Sequence, residues 1–226
     1  MENLDLYSKV EHLLGIEEAT AYLHTLYTEV LYNYEIKTLL DVGCGRGELM
    51  EKFQNYGIAC EGIDLSALMV EKARQKGLDA QQKSICEVEK RYDAIVSVFD
   101  VVNFVPPDEL EQFMNCVHRS LNEDGIFVFD VNTLHGFSNV AEGTMTEEEE
   151  DMFLAVEADF EENQLHTTFT LFSKEGECYS KEQSIITQYF HPLKFFKKLK
   201  NFKVVQSAYL DLYDEKDKAL IVLKKA

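Results

Sequence analysis

The spacing of hydrophobic positions changes along the chain between a helical period and a strand period, and these changes define the predicted elements. Residues 4–14 and 17–32 repeat apolar side chains at helical spacing, which predicts two helices that cap the fold. From residue 38 onward, short apolar runs alternate with helical patterns. The runs at 38–42, 58–64, 79–83, 92–99 and 125–131 are the predicted strands. Strands that alternate with helices pair in parallel, so we expect an α/β fold.

Residues 135–190 break this alternation. Three apolar runs, at 152–160, 164–172 and 178–190, are separated only by short polar turns, which is typical of antiparallel strands. A helix at 192–200 and two terminal strands, at 203–210 and 219–224, then complete the pattern. We predict one domain from residues 1–134 and 191–226. Residues 135–190 form its β insertion, which is either a substrate lid or the interface of a homodimer.

The composition narrows the classes of partner. The chain has 226 residues, of which 46% are hydrophobic, and 41 Asp and Glu against 22 Lys and Arg give a net charge of -19. This charge repels nucleic-acid phosphates and anionic membrane surfaces, so we expect neither as a partner. A small molecule that carries an amine or a positive charge fits the composition better.

Targeting features and cysteine spacing favour the cytoplasm. No apolar stretch approaches the roughly 20 residues that span a bilayer, and residues 1–5 lack the basic region of a signal peptide. The five cysteines are widely spaced and contain no Cys-x-x-Cys pair. We interpret them as reduced side chains, most of them in the core.

A glycine-rich turn follows the first predicted strand. Residues 43–47 read Gly-Cys-Gly-Arg-Gly and precede a helix, at the sheet edge where backbone N–H groups and a helix N-terminus bind polar ligands. The third glycine is misplaced for the dinucleotide fingerprint, and the Gly-Lys-Ser/Thr of a P-loop is absent. Asp41 and Glu48 place two carboxylates beside the turn, where they would repel a pyrophosphate and suit a ligand with a positive centre.

The end of the second predicted strand carries another acidic residue. Asp64 lies about 20 residues beyond the turn, the position from which a carboxylate accepts hydrogen bonds from ribose hydroxyls. A ligand with a ribose, a positive centre and no pyrophosphate is S-adenosylmethionine (SAM). The alternative is that Asp64 caps the helix that begins after Ser66.

The same residues resemble a known family. Residues 39–47 (Leu-Leu-Asp-Val-Gly-Cys-Gly-Arg-Gly) look like the first motif of the class I SAM-dependent methyltransferases, and residues 62–66, 92–96 and 121–129 match later motifs in order. The resemblance implies a Rossmann-like seven-stranded sheet, mostly parallel with an antiparallel last strand, and S-adenosylhomocysteine (SAH) as the product. Weaker matches in residues 98–100, 166–169 and 185–190 resemble the small-molecule branch that includes aminosugar N,N-dimethyltransferases.

The resemblance also implies roles for single residues on the methionine side of the cofactor. Gly43 and Gly45, with Cys44 between them, would line the methionine moiety, and Asp41 would hold its ammonium group directly or through water. Phe99, after the fourth strand, would lie against the same part of the cofactor.

On the nucleoside side, the resemblance assigns a second set of residues. Asp64 would bind the ribose and Leu65 would pack on the adenine. Ser84 and Ile85 stand where the family holds the adenine amine, although the family often has an Asp at that place. Arg46 replaces the usual Thr of the glycine-rich motif, and of two alternatives, reaching a carboxylate or pointing to solvent, we expect solvent.

The catalytic residues are less well defined. Asp100 and Asn103, on the loop after the fourth strand, are candidates for orienting the methyl acceptor, and the alternative for Asp100 is a loop or cap residue. Because the sulfonium is already activated, an amine can attack with its own lone pair and a dedicated base is optional. No metal site is predicted.

We therefore predict a SAM-dependent methyltransferase that acts on a small-molecule amine nitrogen. The alternatives are an O-methyltransferase, a tRNA or protein methyltransferase, and a SAM-binding partner subunit without activity of its own.

Overall fold

Helices are present in both segments where they were predicted at the start of the chain. A computed structural model describes residues 4–226, so residues 1–3 of the predicted main domain lie outside the described residues. The chain begins with α1 (Leu4–Val10), a 3₁₀ turn (Glu11–Leu13) and α2 (Glu17–Tyr32). Between residues 4 and 226, no helix combines the length and the apolar character that crossing a membrane requires.

Eleven strands and four further helices follow within the described residues. The strands are β1 (Thr38–Val42), β2 (Ala59–Asp64), β3 (Ala80–Gln82), β4 (Tyr92–Ser97), β5 (Leu121–Asn132), β6 (Gly143–Glu149), β7 (Met152–Glu161), β8 (Gln164–Glu175), β9 (Cys178–Tyr189), β10 (Phe202–Leu210) and β11 (Lys218–Lys225). The helices are α3 (Glu48–Asn55), α4 (Ala67–Gln75), α5 (Leu110–Arg119) and α6 (Leu193–Phe196). Helix α6 is shorter than predicted, because three like-charged lysines follow it in residues 197–200.

The central sheet has seven strands in the order β10-β11-β5-β4-β1-β2-β3. Strands β1 to β5 pair in parallel, whereas β11 runs antiparallel to both β5 and β10. Helices α2, α3 and α4 pack on one face of this sheet and α5 and α6 on the other. The predicted Rossmann-like sheet with an antiparallel last strand is therefore confirmed, and the carboxyl ends of β1, β2, β4 and β5 meet at one edge.

The insertion forms a separate antiparallel sheet of four strands, in the order β6-β7-β8-β9. The sequence predicted three of them. Strand β6 was missed because its sequence, Gly-Thr-Met-Thr-Glu-Glu-Glu, has no apolar alternation, and most of its side chains are exposed. Acidic side chains on an edge strand discourage pairing with another chain, which explains why the edge tolerates this sequence.

Helix α1 packs on the insertion. Leu6 and Val10 share a hydrophobic cluster with residues of β7, β8 and β9, and the Tyr7 ring meets the Phe169 ring edge-on at 5.8 Å between centroids. Lys72 of α4 donates a hydrogen bond of 2.6 Å from Nζ to the carbonyl oxygen of Ser8. The helix thus spans from the insertion to the helical layer of the main sheet, beside the carboxyl edge.

One prediction about the cysteines is wrong. Cys86 and Cys116 form a disulfide, with their Cα atoms 4.9 Å apart. The pair forms because the 3₁₀ turn Ile85–Glu87 and helix α5 lie against each other on the same face of the sheet, a contact that sequence spacing does not indicate. Cys44 and Cys60 are free and buried, as predicted, and Cys178 is free and exposed.

Candidate active site

The glycine-rich turn joins the ends of β1 and β2. The backbone N–H groups of Gly43 and Cys44 both donate to the carbonyl oxygen of Ile63, at 2.8 and 3.1 Å. Gly43, Gly45 and Gly47 have φ values of +77°, +51° and +78°, in the left-handed region that glycine adopts without steric cost. This local geometry explains why the sequence needs three closely spaced glycines.

The three glycines face different surroundings. A Cβ atom at Gly43 would lie 2.6 Å from Val101 Cγ2, and one at Gly47 would overlap Leu78 Cδ1. A Cβ atom at Gly45 would have nothing within 4 Å. Gly43 and Gly47 are therefore required by packing, whereas Gly45 borders open space from which a ligand can approach the backbone.

Asp41 is a buried carboxyl group at the end of β1. It is 3% exposed, and its side chain makes no hydrogen bond with any group in residues 4–226. Burial, reinforced by the nearby Asp64 carboxylate, raises the pKa of Asp41 to about 7. A buried carboxylate without a partner is costly, so this position suits a ligand that brings a cation.

Asp64 is held at the end of β2 by backbone donors. Its Oδ2 accepts from Gly45 N–H at 2.9 Å and its Oδ1 accepts from Ser66 N–H at 2.8 Å. Burial raises the pKa of Asp64, and these hydrogen bonds oppose the rise. The carboxylate thus fastens the glycine-rich turn to the start of α4, and its remaining lone pairs can still accept from a ligand.

The other residues predicted for the nucleoside side lie in contrasting surroundings. Leu65 follows Asp64 and is 46% exposed, so it offers an uncovered apolar surface. Ile85 is buried in the core between the sheet and helices α5 and α6. Ser84 and Glu87 form a capping box, in which Ser84 N–H donates to Glu87 Oε2 at 2.8 Å. At these two positions only the backbone and the Ser84 hydroxyl are available to a ligand.

Two side chains of the turn are occupied within the protein. The Cys44 side chain is buried beside Gly62, where a Cβ atom would lie 2.8 Å from Cys44 Sγ, so only the backbone of Cys44 can border the site. Arg46 does not point only to solvent as predicted, because its Nε lies 2.8 Å from Glu11 Oε1. The partner comes from the 3₁₀ turn after α1, which the sequence could not place.

The chain makes an unusual turn after β4. Phe99 and Asp100 have φ values of +64° and +54°, a conformation that costs of order 1–3 kcal/mol for residues other than glycine and concentrates at functional sites. Asp130, at the end of β5 and fully buried, accepts from both backbone N–H groups, at 2.8 and 2.9 Å. Its Oδ1 also accepts from the Tyr27 hydroxyl at 2.6 Å.

The two candidates for orienting the acceptor are both engaged within the protein. Asp100 Oδ1 accepts from Lys218 Nζ at 2.7 Å, and its Oδ2 accepts from Asn132 Nδ2 at 3.0 Å and from Gln188 Nε2 at 2.5 Å. Asn103 is fully buried. Its Oδ1 accepts from Asn132 N–H at 2.9 Å and its Nδ2 donates to the Tyr189 carbonyl at 2.8 Å, so its amide joins β5 to β9.

Lys218, Asn132, Gln188 and Asp130 surround Asp100, and the sequence assigned a role to none of them. Lys218 lies in no motif, although a lysine that opens an apolar strand is visible in the sequence. Residues 129–132, which include Asp130 and Asn132, resemble the end of the fifth strand in several members of the family, but this resemblance left the role of Asp130 open. No periodicity indicates that Gln188 reaches Asp100.

Two tyrosines border the same region. Burial raises the pKa of Tyr7 above its usual range, and the carboxylates of Glu11 and Asp100 contribute further. Burial, partly offset by Lys218 and reinforced by Asp100, raises the pKa of Tyr213 to about 12. The two hydroxyls thus share an acidic environment beside Asp100 and stay protonated near neutral pH. Between residues 4 and 226 no cluster of three or more His, Cys, Asp or Glu side chains could hold a metal ion.

Comparison with known families finds a match for the part of the chain that contains most of these residues. Residues 39–125, which include the glycine-rich turn, Asp64 and the Phe99–Asp100 turn, match the family described as "Methyltransferase domain". This part of the chain is therefore similar to a methyltransferase domain. The seven-stranded order with an antiparallel β11 agrees with this assignment.

Proteins related by sequence match only about half of this chain. A Bacillus subtilis (strain 168) protein named "Putative methyltransferase YqeM" is 30% identical over 125 residues, which cover 50% of this chain and 50% of that protein. The chain thus spans about half the length of the curated relatives it matches.

Solved structures share the fold of nearly the whole chain. A SAM-dependent methyltransferase from Clostridium acetobutylicum ATCC 824 superimposes with a TM-score of 0.82 at 20% identity, covering 98% of this chain and 99% of that chain. CalS10, an amino pentose methyltransferase from Micromonospora echinaspora, gives 0.76 at 17% identity, covering 98% and 97%. Because these matches span the chain, the shared fold includes the four-stranded insertion.

Replacing Asp41 tests whether its carboxyl group is held without a partner. Because its pKa is raised to about 7 on folding, its contribution to stability is complete below about pH 4 and is lost as pH rises through 7. Asp41→Asn should therefore gain stability over the parent between pH 5 and pH 8, by about 1.4 kcal/mol per pH unit up to pH 7. Thermal melts of both proteins at the two pH values, without ligand, measure this. A difference in Tm that does not change with pH would contradict it.

Replacing Gly45 tests whether the open space beside it is the ligand site. Gly45→Val should abolish SAH binding, measured by calorimetry, because its side chain would project into that space. Gly57→Val is the matched control, since Gly57 also has a left-handed φ of +78° and a Cβ atom there would likewise have nothing within 4 Å. The two variants should lose similar stability, and only Gly45→Val should lose binding. Normal SAH binding by Gly45→Val would remove the turn from the site.

Proposed function

We propose that the chain is a SAM-dependent methyltransferase that transfers a methyl group to an amine nitrogen of a small molecule. The proposal rests on three residues at the carboxyl edge of the sheet: a buried carboxyl group without a hydrogen-bond partner in the described residues, a glycine that borders open space, and an exposed leucine. These are Asp41, Gly45 and Leu65. The edge offers a place for a cation, an approach to the backbone and an apolar surface.

The edge fits the chemical groups of SAM. Asp41 would bind the ammonium group of the methionine part. The positive charge of this group would balance the Asp41 carboxylate, which has no cationic partner among the described residues. Asp64 would accept from the ribose hydroxyls with its free lone pairs, and Leu65 would pack against the adenine. Gly43, Gly45 and Phe99 would border the methionine part. CalS10, which shares the fold, is described as bound to SAM.

The residues around Asp100 favour an amine over a hydroxyl as the acceptor. When bound, SAM supplies a methyl group whose leaving group is already activated. A hydroxyl acceptor also needs a base, but Asp100 is paired with Lys218, and Tyr7 and Tyr213 keep their protons at neutral pH. A neutral amine attacks with its own lone pair, so this site needs only to orient it and exclude water.

Charge also favours a neutral or cationic acceptor. Near the carboxyl edge of the sheet, Arg46 is paired with Glu11 at 2.8 Å and Lys218 with Asp100 at 2.7 Å. An anionic acceptor would therefore have to displace an existing ion pair, in a protein of net charge -19. The fold shared with an amino pentose methyltransferase supports the same class of acceptor.

A panel of acceptors tests the reaction. Amines, hydroxy acids and phenols are each incubated with SAM, and formation of SAH is measured across pH. We expect turnover with amines, with a rate that rises as the acceptor loses its ammonium proton. Turnover with phenols or hydroxy acids alone would indicate an O-methyltransferase. Tight SAH binding without turnover on any acceptor, including tRNA and protein, would indicate a partner subunit.

Replacing Asp64 tests the ribose assignment. Asp64→Ala should weaken SAH binding about tenfold or more, because hydrogen bonds to a charged group are worth roughly 1.5–3 kcal/mol each. Asp93→Ala is the matched control, since Asp93 holds the N–H groups of Lys37 and Thr38 at the opposite end of β1, both at 3.0 Å. Calorimetry should show a loss of affinity for Asp64→Ala alone. Equal losses of SAH affinity in the two variants would indicate that Asp64 only caps the turn and does not bind the ribose.

A further inference from the structure

A buried lysine at the start of β11 lies beneath the acceptor side of the site. Lys218 is 2% exposed. Its Nζ donates to Asp100 Oδ1 at 2.7 Å and to Asn132 Oδ1 at 2.8 Å, and it lies 3.5 Å from Asp130 Oδ2. The ammonium also lies 5.1 Å from the centroid of the Phe99 ring. Three oxygens and an aromatic ring, from the turn after β4 and the end of β5, therefore surround one charge.

Lys218 balances the charge of the group that holds the left-handed turn. The N–H groups of Phe99 and Asp100 both donate to the Asp130 carboxylate, which is fully buried. A left-handed turn at these two residues persists only where its surroundings hold it in place. A buried carboxyl group in turn keeps its charge more readily where a cation lies beside it. The hydrogen bonds of the turn thus depend on the ammonium of Lys218.

We propose that Lys218 is a positioning residue, which holds the Asp100 carboxylate and the Phe99 ring in the orientation that methyl transfer requires. This inference rests on the proposed methyltransferase function. Lys218 is enclosed by the protein and acts through Asp100, whose side chain is 10% exposed. Asp100 Oδ1 receives one hydrogen bond from Lys218, which leaves this oxygen a second lone pair for an acceptor N–H.

The charges around the cluster predict how it responds to pH. Burial raises the pKa of Asp130, and the ammonium of Lys218 is the strongest influence that opposes the rise. Without Lys218, Asp130 would take up a proton at a higher pH and would accept the turn N–H groups less well. The other titratable groups that face the cluster are Tyr27 on α2, Asp100 after β4, Tyr213 after β10, and, beyond these, Asp41 on β1 and Tyr7 on α1.

The test compares two lysines of the same strand. Lys218→Met removes the proposed positioning charge. Lys225→Met is the matched control, because the Lys225 side chain is 7% exposed, lies 3.0 Å from Glu123 Oε1 and donates to the Leu121 carbonyl at the other end of β11. Lys218→Arg keeps the charge. If Lys218→Met does not fold, Lys218→Gln removes the charge and keeps a hydrogen-bonding group.

The first measurement does not depend on activity. Amide hydrogen exchange of the segment with Phe99 and Asp100 should be at least tenfold faster in Lys218→Met than in the parent. Lys225→Met and Lys218→Arg should exchange at the rate of the parent. If this result holds and the parent transfers no methyl group to any acceptor, the positioning of the turn stands and the proposed function fails.

The second measurement is turnover at saturating SAM, where protonation of Asp41 no longer affects cofactor binding. In Lys218→Met, kcat should fall by about 10- to 100-fold, with little change in the KM for SAM, because a small displacement of an orienting group has an effect of this size. Its activity should also disappear at a higher pH than that of the parent as pH is lowered. Lys218→Arg should keep the pH profile of the parent. A Lys218→Met protein that loses stability like Lys225→Met, but keeps the exchange rates, kcat and pH profile of the parent, overturns the proposal.

Discussion

The balance between the buried Asp130 carboxylate and the Lys218 ammonium is the constraint on which the carboxyl edge of the sheet depends. Asp130 holds the turn after β4 and a tyrosine of α2, so it needs a cation within reach. The antiparallel direction of β11 provides one, because its first residue, Lys218, is level with Asn132 at the end of β5. A parallel strand in that place would start at the opposite edge. The sheet topology is therefore part of the chemistry of the site.

A second buried carboxyl group at the same edge is treated differently. Asp41 and Asp130 both have raised pKa values, and burial is the largest cause for each. Asp130 has four partners inside the protein, whereas Asp41 has no side-chain hydrogen bond in the described part of the chain. A carboxylate with several partners inside the fold has a structural role. A buried carboxyl group without such partners is suited to bind a ligand. This contrast separates the proposed cofactor side from the acceptor side without reference to a bound molecule.

The proposed acceptor side is assembled from parts that are distant in sequence. Helix α1 contributes Tyr7, the loop after β10 contributes Tyr213, and β9 contributes Gln188, while the Arg46–Glu11 ion pair connects the glycine-rich turn to the segment after α1. Sequence relatives match about half of the chain, whereas the shared fold extends over nearly all of it. Several side chains on which the proposal of an amine acceptor rests therefore lie in regions that sequence comparison does not match.

The sequence by itself determined the features that depend on neighbouring residues. The alternation of strands and helices, the glycine-rich turn and the places of Asp41 and Asp64 at strand ends follow from local periodicity and turn chemistry. They predicted a parallel sheet and a ligand site at its carboxyl edge, whereas the seven strands with an antiparallel last strand came from the family resemblance. The tertiary structure decided the edge strand β6, whose sequence is polar, and the Cys86–Cys116 disulfide. It also decided that Lys218 meets Asp100 across 118 positions, because strand order, which no local pattern records, brings such residues together.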